Sequence, residues 1–471
     1  MKKGLAIFPL LFLFFQMTQA QDITGSWQGK LDIQGTQLRI VFHIEKTADG
    51  YSTKMDSPDQ GANGIPTDVT SWADNTLTIK AAALGMEYAG KFIEDKNEID
   101  GTFSQGGMSL PLLMKRATEV EKKKEPRPQD PTEFPYLQEE VEFFNQKDKV
   151  KLAGTLTMPK DKKVESVVML ISGSGPQNRN EELLGGIDHR PFLVLSDYLT
   201  RQGIAVLRYD DRGVGESTGD RAISTIDDFA EDAEAGVSFL ENHKDLKGVK
   251  IGLVGHSEGG MVAPMVAARN KKVDFIVLLA GPGMPIDELM LLQSKLITAS
   301  QGTPPEVSEA NRKVLKDAYV YIRQNPALEG EEMKAGLIKV FQNGIKYFSA
   351  EIQEEIKKEE MFFEKEAAAL ISPWFLNFIR TTPEEYLSKV KVPVLALNGT
   401  LDLQVPAEEN LAVIKSVLKK AGNKKVEIVA LEGLNHLFQT AQTGAIAEYG
   451  KIEETFNPLT MEKIASWIKK Q

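Results

Sequence analysis

Six short apolar runs constrain the fold of this chain more than any other feature. They lie between Val167 and Leu431 and read VVMLIS, IAVLRYD, IGLVGHS, DFIVLLAG, PVLALNG and VEIVAL. Stretches of helical character separate them, as in 226–242, where apolar residues recur at intervals of three and four. Strands that are apolar throughout are typical of a sheet buried on both faces. The sequence therefore predicts an α/β domain with a mostly parallel sheet.

A long helical insertion interrupts this sheet between DFIVLLAG and PVLALNG. It covers about 284–386 and is charged and helical in character. An insertion of this size at the carboxyl end of a strand is placed to form a cap over a site. Its densest acidic run is interspersed with Lys357 and Lys358, which favours a solvated face over an ammonium-binding cluster. The run consists of Glu351, Glu354, Glu355, Glu359 and Glu360.

The N-terminal part of the chain has a different residue pattern. From Ile23 to about Lys115, short runs rich in Val, Ile, Thr, Tyr and Phe alternate with Asp-Gly, Asp-Asn and Gly-Gly turn signals. This pattern predicts a small all-β domain, a barrel or a sandwich of about eight antiparallel strands. The opening Gly25-Ser26-Trp27 resembles the first strand of lipocalin-like barrels, and no ligand is inferred from it.

A charged, proline-rich segment, EVEKKKEPRPQDPTEF, separates the two parts and has no hydrophobic period. The predicted organisation is a signal peptide at 1–20, a β-domain at 21–118, a linker at 119–135 and an α/β domain at 136–471.

The N-terminus has the three-part layout of a secretory signal. Lys2 and Lys3 precede an apolar run from Leu5 to Phe15, and we expect cleavage between Ala20 and Gln21. The sequence has no cysteine, which excludes disulfides, a thiolate nucleophile and a cysteine lipid anchor. We therefore expect a periplasmic or extracellular protein without a stable membrane anchor.

Composition excludes one class of partner. With 42% hydrophobic and 26% charged residues the chain is ordinary globular material, and its net charge is −11. A nucleic-acid-binding protein normally presents a basic face to phosphates, so we expect no nucleic-acid partner.

A serine between two glycines follows the run IGLV, in Gly255-His256-Ser257-Glu258-Gly259. The pattern is short enough to recur by chance, and Ser257 could be merely the polar residue of a tight turn. Here, however, an apolar strand precedes it and the helical segment EGGMVAPMVAAR follows it. Strand, turn and helix are the setting in which a nucleophile elbow works, so we predict that Ser257 is a nucleophile.

A serine nucleophile needs a base, which follows the serine in the chain order of such sites. The sequence has five histidines, and His436 is the one that follows Ser257. It lies just beyond the run VEIVAL, where a loop can carry an imidazole over the sheet. A plain loop histidine is the alternative interpretation.

The orienting acid is sought among the aspartates after Ser257. Asp402 alone comes within three residues of the end of a predicted strand, in NGTLDLQVP, although glutamates are numerous and Asp402 could instead cap the next helix. The aspartates are Asp274, Asp287, Asp317 and Asp402.

The oxyanion of the reaction needs N–H donors that are already in position. We predict the backbone N–H of Glu258, which follows the nucleophile, and that of Ser174 in the loop after VVMLIS, with Gly175 as the competitor. The sequence shows no phosphate-binding loop and no metal-spaced His/Asp cluster, so we expect no cofactor and no metal.

Several motifs resemble those of the α/β-hydrolase superfamily from about Val141 to the end of the chain. The segment Asp210–Ser217 resembles the family's turn after the fourth strand, 399–406 its acid loop, and Asn435-His436 its histidine loop. In detail, ISGSGPQNRNE, YDDRGVGES and GHSEGG resemble the serine aminopeptidase and carboxylesterase branch, which includes secreted bacterial esterases with an extra N-terminal domain. Ser172-Gly173 stands where the commoner oxyanion loop has His-Gly.

The expected function is a serine hydrolase that cleaves short-chain carboxylic esters of small molecules through an acyl-enzyme. A serine aminopeptidase or an acyltransferase with the same triad is the first alternative. An exported ligand-binding protein with an inactive hydrolase domain is an alternative of another class. The natural substrate and the oligomeric state stay open.

Overall fold

The structure is a computed structural model. It describes residues 23–33, 36–47, 50–58, 62–105, 108–117, 127–160, 162–183, 187–358 and 361–471. The predicted signal peptide, residues 119–126 of the predicted linker, and Glu359 and Glu360 lie outside these ranges. The chain divides into two compact units, one of Met1–Lys124 with Leu184–Gly186 and the other of Glu125–Leu183 with Ile187–Gln471. The division falls inside the predicted linker. No helix in the described ranges combines the length and apolar character that a bilayer crossing requires.

The described part of the first unit is one antiparallel sheet of nine strands in the order β4-β3-β2-β1-β9-β8-β7-β6-β5. The strands are β1 (Gly25–Ile33), β2 (Thr36–Thr47), β3 (Gly50–Ser57), β4 (Ala62–Pro66), β5 (Val69–Ala73), β6 (Thr76–Ala81), β7 (Met86–Ile93), β8 (Glu98–Gln105) and β9 (Met108–Arg116). Alternate residues point to a shared core, in which Trp27, Phe42 and Tyr88 are fully buried. This confirms the predicted all-β domain.

The two edges of this sheet meet. Strands β4 and β5 are the opposite edges, yet Thr67 and Asp68 alone connect them. Thr70 Oγ1 donates a hydrogen bond to Thr53 Oγ1 of β3 at 2.9 Å, and the Thr67 N–H donates to the Thr53 carbonyl at 3.3 Å. Such a short connection between opposite edges requires the sheet to curl round on itself.

The strand-like runs that the sequence offers include neither of these edge strands. Those runs are SWQGKLDI, QLRIVFHIEK, GYSTKM, NTLTIKAA, MEYAGKF, EIDGTFS and SLPLLMK. Each edge strand has five residues, and β5 is nowhere fully buried. ANGIP and VTSWA carry too little alternation of apolar and polar residues to stand out as strands.

The second unit contains an eight-stranded sheet in the order β10-β11-β13-β12-β14-β15-β16-β17 within the described ranges. The strands are β10 (Leu137–Asn145), β11 (Val150–Met158), β12 (Ser166–Ile171), β13 (Ala205–Tyr209), β14 (Lys250–His256), β15 (Val273–Leu279), β16 (Val394–Gly399) and β17 (Val426–Leu431). Strand β11 runs antiparallel to both β10 and β13, and the remaining neighbours are parallel. This confirms the predicted mostly parallel sheet.

Helices cover both faces of the sheet and form the insertion. They are α1 (Pro191–Arg201), α2 (Ile226–Asn242), α3 (Gly259–Arg269), α4 (Ile286–Ser300), α5 (Pro305–Gln324), α6 (Gly330–Gly344), α7 (Ala350–Lys358), α8 (Phe362–Ala369), α9 (Pro373–Arg380), α10 (Glu384–Leu387), α11 (Ala407–Lys420) and α12 (Pro458–Ile468). Along β12, Val167 and Met169 face the core formed with α2, α3 and α11, whereas Val168 and Leu170 face the core formed with α1 and α12.

The helical insertion lies between β15 and β16, as predicted, and comprises α4 to α10. Its core is continuous with the one on the α2–α3 face of the sheet. The insertion is therefore packed as part of the second unit and carries α9 towards the carboxyl ends of the strands, where α9 contacts the turn after β14.

The described end of the predicted linker packs against the rest of the second unit. Arg127 Nη1 donates to the carbonyl of Ile452 at 2.9 Å, Gln129 Nε2 donates to the carbonyl of Phe456 at 2.8 Å, and Asp130 pairs with Arg190. Residues 127–130 therefore fasten the start of the unit to the segment before α12.

We expect a fragment of residues 125–471 to fold, because the eight-stranded sheet takes no strand from the first unit. A fragment of residues 136–471 loses the contacts of Arg127, Gln129 and Asp130. Its free energy of unfolding should be lower by about 2 kcal/mol, which lowers its melting temperature by about 3 °C. Circular dichroism and calorimetry of both fragments test this. The absence of a cooperative transition in the longer fragment would show that the second unit depends on residues 1–124.

Candidate active site

The turn between β14 and α3 carries Ser257. The strand ends at His256, and Ser257 adopts a positive φ of 51°, an uncommon and strained conformation for a residue with a side chain. Its N–H donates to the carbonyl of Leu279 at 2.8 Å, and its own carbonyl accepts the N–H of Gly260 at 2.8 Å. Hydrogen bonds on both sides hold this turn in the form of a nucleophile elbow.

Two glycines make the elbow sterically possible. A Cβ on Gly255 would lie 1.9 Å from the carbonyl oxygen of Gly259, and a Cβ on Gly259 would lie 2.1 Å from that of Ile171. Neither position has room for a side chain, so the helix begins directly against the neighbouring strand β12.

Asp402 and His436 follow β16 and β17 and contact each other. Nδ1 of His436 lies 2.8 Å from Oδ2 of Asp402, and both side chains are buried. The other oxygen of Asp402 accepts the N–H groups of Gln404 at 2.8 Å and Val405 at 2.9 Å. These bonds fix the carboxylate, which in turn places the imidazole proton on Nδ1. Within the described residues, Nε2 of His436 has no hydrogen-bond partner.

The histidine loop is joined to the elbow through His256. Nε2 of His256 donates to the backbone carbonyl of His436 at 3.0 Å, and the two rings lie 4.9 Å apart. Because His256 immediately precedes Ser257, this contact brings the predicted base and acid to the elbow that carries the predicted nucleophile.

The loop after β12 lies on the other side of the elbow. A Cβ on Gly173 would come within 3.3 Å of Ser257 Cβ, so the loop runs directly against the serine. Ser174 is exposed, and neither its N–H nor that of Glu258 donates a hydrogen bond to any residue that the structure describes. The structure thus places both predicted oxyanion donors on segments that flank Ser257. Gly175, the competitor, has a φ of 93°, which favours glycine.

The side chain of Glu258 lies under the cap, although the sequence predicted a role for its backbone alone. Trp374 of α9 donates its indole N–H to Oε2 of Glu258 at 2.7 Å. Burial raises the pKa of Glu258 to about 7, while Arg221 and the bond from Trp374 oppose that rise. A carboxyl group next to Ser257 is therefore largely protonated in mildly acidic solution.

A second buried acid lies close by. Asp211 accepts a hydrogen bond from Ser172 Oγ at 2.8 Å and pairs with Arg221 at 3.0 Å. Burial raises the pKa of Asp211 to about 6, against the charge of Arg221 and the bond from Ser172. The segment YDDRGVGES had indicated a structural turn, but nothing in it indicated an acid that ties the oxyanion loop to Arg221.

Comparison with known proteins gives the family. A sequence profile described as serine aminopeptidase, S33, matches residues 188–440, more than half of the chain. The chain belongs to this family of hydrolases. This S33 hydrolase is 26% identical over 382 residues to esterase EstD of Thermotoga maritima, covering 80% of this chain and 78% of that one. It is 28% identical over 149 residues to a monoglyceride lipase homolog of monkeypox virus, covering 30% and 53%.

Among solved structures, the S33 hydrolase is similar to esterase Pf2001 of Pyrococcus furiosus, with a TM-score of 0.41 and 16% identity, covering 71% of this chain and 93% of that one. The family match confirms the predicted resemblance and shows that the protein is a hydrolase.

Glu258→Gln should change how the stability of the S33 hydrolase depends on pH. The folded-state pKa, about 7, lies above the ordinary 4.5, so the folded chain binds a proton that the unfolded chain has released. Wild-type stability should therefore fall as the pH rises from about 4.5 through 7. The amide of the variant cannot ionise, so the variant does not lose this stability as the pH rises. At pH 8 its free energy of unfolding should exceed that of the wild type by roughly 1–3 kcal/mol.

Urea unfolding at pH 5, 6, 7 and 8 measures this effect. Glu354→Gln, on an exposed residue of α7, is the matched control and should follow the wild type. Parallel pH curves for Glu258→Gln and the wild type would contradict the prediction.

Proposed function

We propose that this hydrolase is a serine esterase that cleaves short-chain carboxylic esters through an acyl-enzyme, with Ser257, Asp402 and His436 as the triad. The observation that carries the proposal is the 2.8 Å bond between His436 and Asp402 beside a strained serine turn. That bond leaves Nε2 as the imidazole nitrogen able to take a proton from Ser257. The esterase name of the relative from Thermotoga supports the same reaction class.

In the proposed mechanism, Ser257 Oγ attacks the ester carbonyl carbon while His436 Nε2 takes the hydroxyl proton. Asp402 accepts the Nδ1 hydrogen bond and stabilises the imidazolium. The carbonyl oxygen becomes an oxyanion held by the N–H groups of Glu258 and Ser174. When the tetrahedral intermediate collapses, the C–O bond breaks and the alcohol leaves with the proton from Nε2.

Deacylation repeats these steps with water. His436 takes a proton from the water molecule, the hydroxide attacks the acyl carbon, and the bond to Ser257 breaks as His436 returns the proton to Oγ. The products are a carboxylic acid and the free enzyme. An acyltransferase would use the same steps with an alcohol in place of water.

The cap brings aromatic side chains close to Ser257 through the contact of Trp374 with Glu258. Trp374 contacts Glu258 beside the nucleophile, and its ring stacks on Phe378 with 5.1 Å between centroids. An aromatic surface next to the elbow suits an apolar acyl chain.

The acids near the site favour an ester over an aminopeptidase substrate, although the family's description names an aminopeptidase. Recognition of an amino terminus needs a charged carboxylate that is free to meet an ammonium. Asp211 is already paired with Arg221, and Glu258 is held by Trp374 with its pKa raised to about 7. On α7, Glu354 pairs with Lys357 at 2.7 Å on a helix without buried residues in its described range.

We further propose that the esterase is exported through the signal at 1–20 and acts on small-molecule esters outside the cytoplasm. The basic start and short apolar run of the N-terminus support this. Detection of a mature chain that starts at Gln21 in the periplasmic or culture fraction tests it, and an uncleaved cytoplasmic chain would contradict it.

Ser257→Ala and Asp402→Asn should each lower kcat on p-nitrophenyl butyrate by roughly 10⁴-fold, because the triad acts as a unit. Labelling by a fluorophosphonate probe should disappear in Ser257→Ala. Ser300→Ala and Asp317→Asn, on exposed cap residues, are the matched controls and should keep wild-type rates. More than a tenth of wild-type activity in either triad variant would reject the triad.

Ester preference is tested by comparing kcat/KM on p-nitrophenyl butyrate with kcat/KM on leucine and proline p-nitroanilides. The ester should react faster, since a phenoxide leaves more readily than an amine and the acids beside the elbow are already engaged. A higher value on either anilide would establish the aminopeptidase alternative.

A further inference from the structure

His256 is a buried histidine next to the nucleophile that the mechanism above does not use. It is the last residue of β14 and is only 7% exposed. Both of its ring nitrogens are engaged, with Nδ1 2.8 Å from Oε1 of Glu181 and Nε2 3.0 Å from the carbonyl of His436. Its ring therefore bridges from the elbow to two other segments of the site.

Glu181 extends this bridge to the oxyanion loop. The same Oε1 that contacts His256 also accepts the N–H of Gly173 at 2.8 Å, and Gly173 directly precedes the proposed donor Ser174. Glu181 itself is 2% exposed and has a φ of 51°, a strained conformation that persists where its surroundings hold it. A buried carboxylate thus links the oxyanion loop to the histidine beside Ser257.

The hydrogen bonds determine where the protons are. A backbone carbonyl accepts only, so Nε2 of His256 carries a proton for His436. Oε1 of Glu181 accepts the N–H of Gly173, and as an acceptor for His256 as well it places a proton on Nδ1. Burial lowers the pKa of His256, but the charge and hydrogen bond of Glu181, with smaller contributions from the His436 carbonyl and Asp402, raise it overall.

We propose that Glu181 and His256 are positioning residues, a buried carboxylate–imidazolium pair that holds the oxyanion loop and the loop of His436 at fixed places around Ser257. The pair is neutral as a whole, so it adds little net charge beside the imidazolium that forms on His436 during acyl transfer. The inference rests on the proposed triad and adds two residues to its support.

The first test counts protons on the wild-type chain. The sequence has five histidines, so nitrogen-15 histidine labelling gives a simple NMR spectrum. We expect one imidazole to carry both N–H protons at pH 7, because Glu181 raises the pKa of His256. Nuclear Overhauser contacts to the ring of Phe438, 6.2 Å from that of His256, identify it. A neutral His256 ring at pH 7 would overturn the proposal, and this measurement needs no variant to fold.

The second test replaces the carboxylate. In Glu181→Gln a neutral amide replaces the carboxylate, and the buried imidazolium of His256 loses its Nδ1 proton. The amide oxygen only accepts hydrogen bonds and so cannot bond to the lone pair left on Nδ1. The side chain must therefore give up its contact with either His256 or Gly173. We expect kcat on p-nitrophenyl butyrate to fall about 10- to 100-fold, with KM within about threefold of the wild-type value. A shift of about 1 Å in the loops around Ser257 slows the reaction but has little effect on the binding of a small ester.

His256→Gln and the variant that carries both substitutions complete a double-mutant cycle with Glu181→Gln. If the pair acts as one unit, the double variant should be no slower than the slower single variant within about threefold. Glu182→Gln, the next residue in the same loop, is the matched control and should keep wild-type kcat. Multiplicative losses, or an unchanged kcat in Glu181→Gln, would overturn the proposal.

The two proposals fail in different ways. A wild-type chain that does not hydrolyse the ester would reject the esterase, while the NMR result on His256 would still stand. A working esterase with a neutral His256 would reject the positioning pair alone.

Discussion

Close backbone contact around Ser257 is the constraint on which the rest of the site depends. Gly259 lies so near the carbonyl of Ile171 that a Cβ would collide with it, and a Cβ on Gly173 would come within 3.3 Å of Ser257 Cβ. Two segments that are distant in sequence, the end of β12 with its loop and the turn after β14, therefore meet at close range. The geometry follows from parallel strands β12 and β14 being neighbours, since their carboxyl ends lie at the same edge of the sheet.

Much of this arrangement could be predicted from the sequence because its signals are local. Strand-end positions indicate Ser257, Asp402 and His436, and the apolar runs before them indicate the parallel sheet. The structure brings Asp402 and His436 together and places both beside the elbow. The family match independently shows a hydrolase, so the fold and the class of enzyme rest on two kinds of observation.

The parts that could not be predicted depend on contacts between distant residues. Trp374 and Glu258 are 116 positions apart, and no local pattern indicates that an indole of the cap binds the residue after the nucleophile. Glu181 lies in the recognised segment ISGSGPQNRNE, yet only the folded chain shows that its carboxylate contacts His256. Strands β4 and β5 were missed for the opposite reason, because short exposed edges carry little hydrophobic pattern.

The position of the cap has a consequence for how such an enzyme diversifies. The insertion enters after β15 and leaves before β16, and these two strands pair in an unbroken parallel register. Its length and helices can therefore change by recombination without shifting any strand of the sheet. Gly255 and Gly259, in contrast, have no room for even one added methyl group. A change of substrate preference is therefore expected to arise from the cap, because the glycine turn beneath it accepts no side chain.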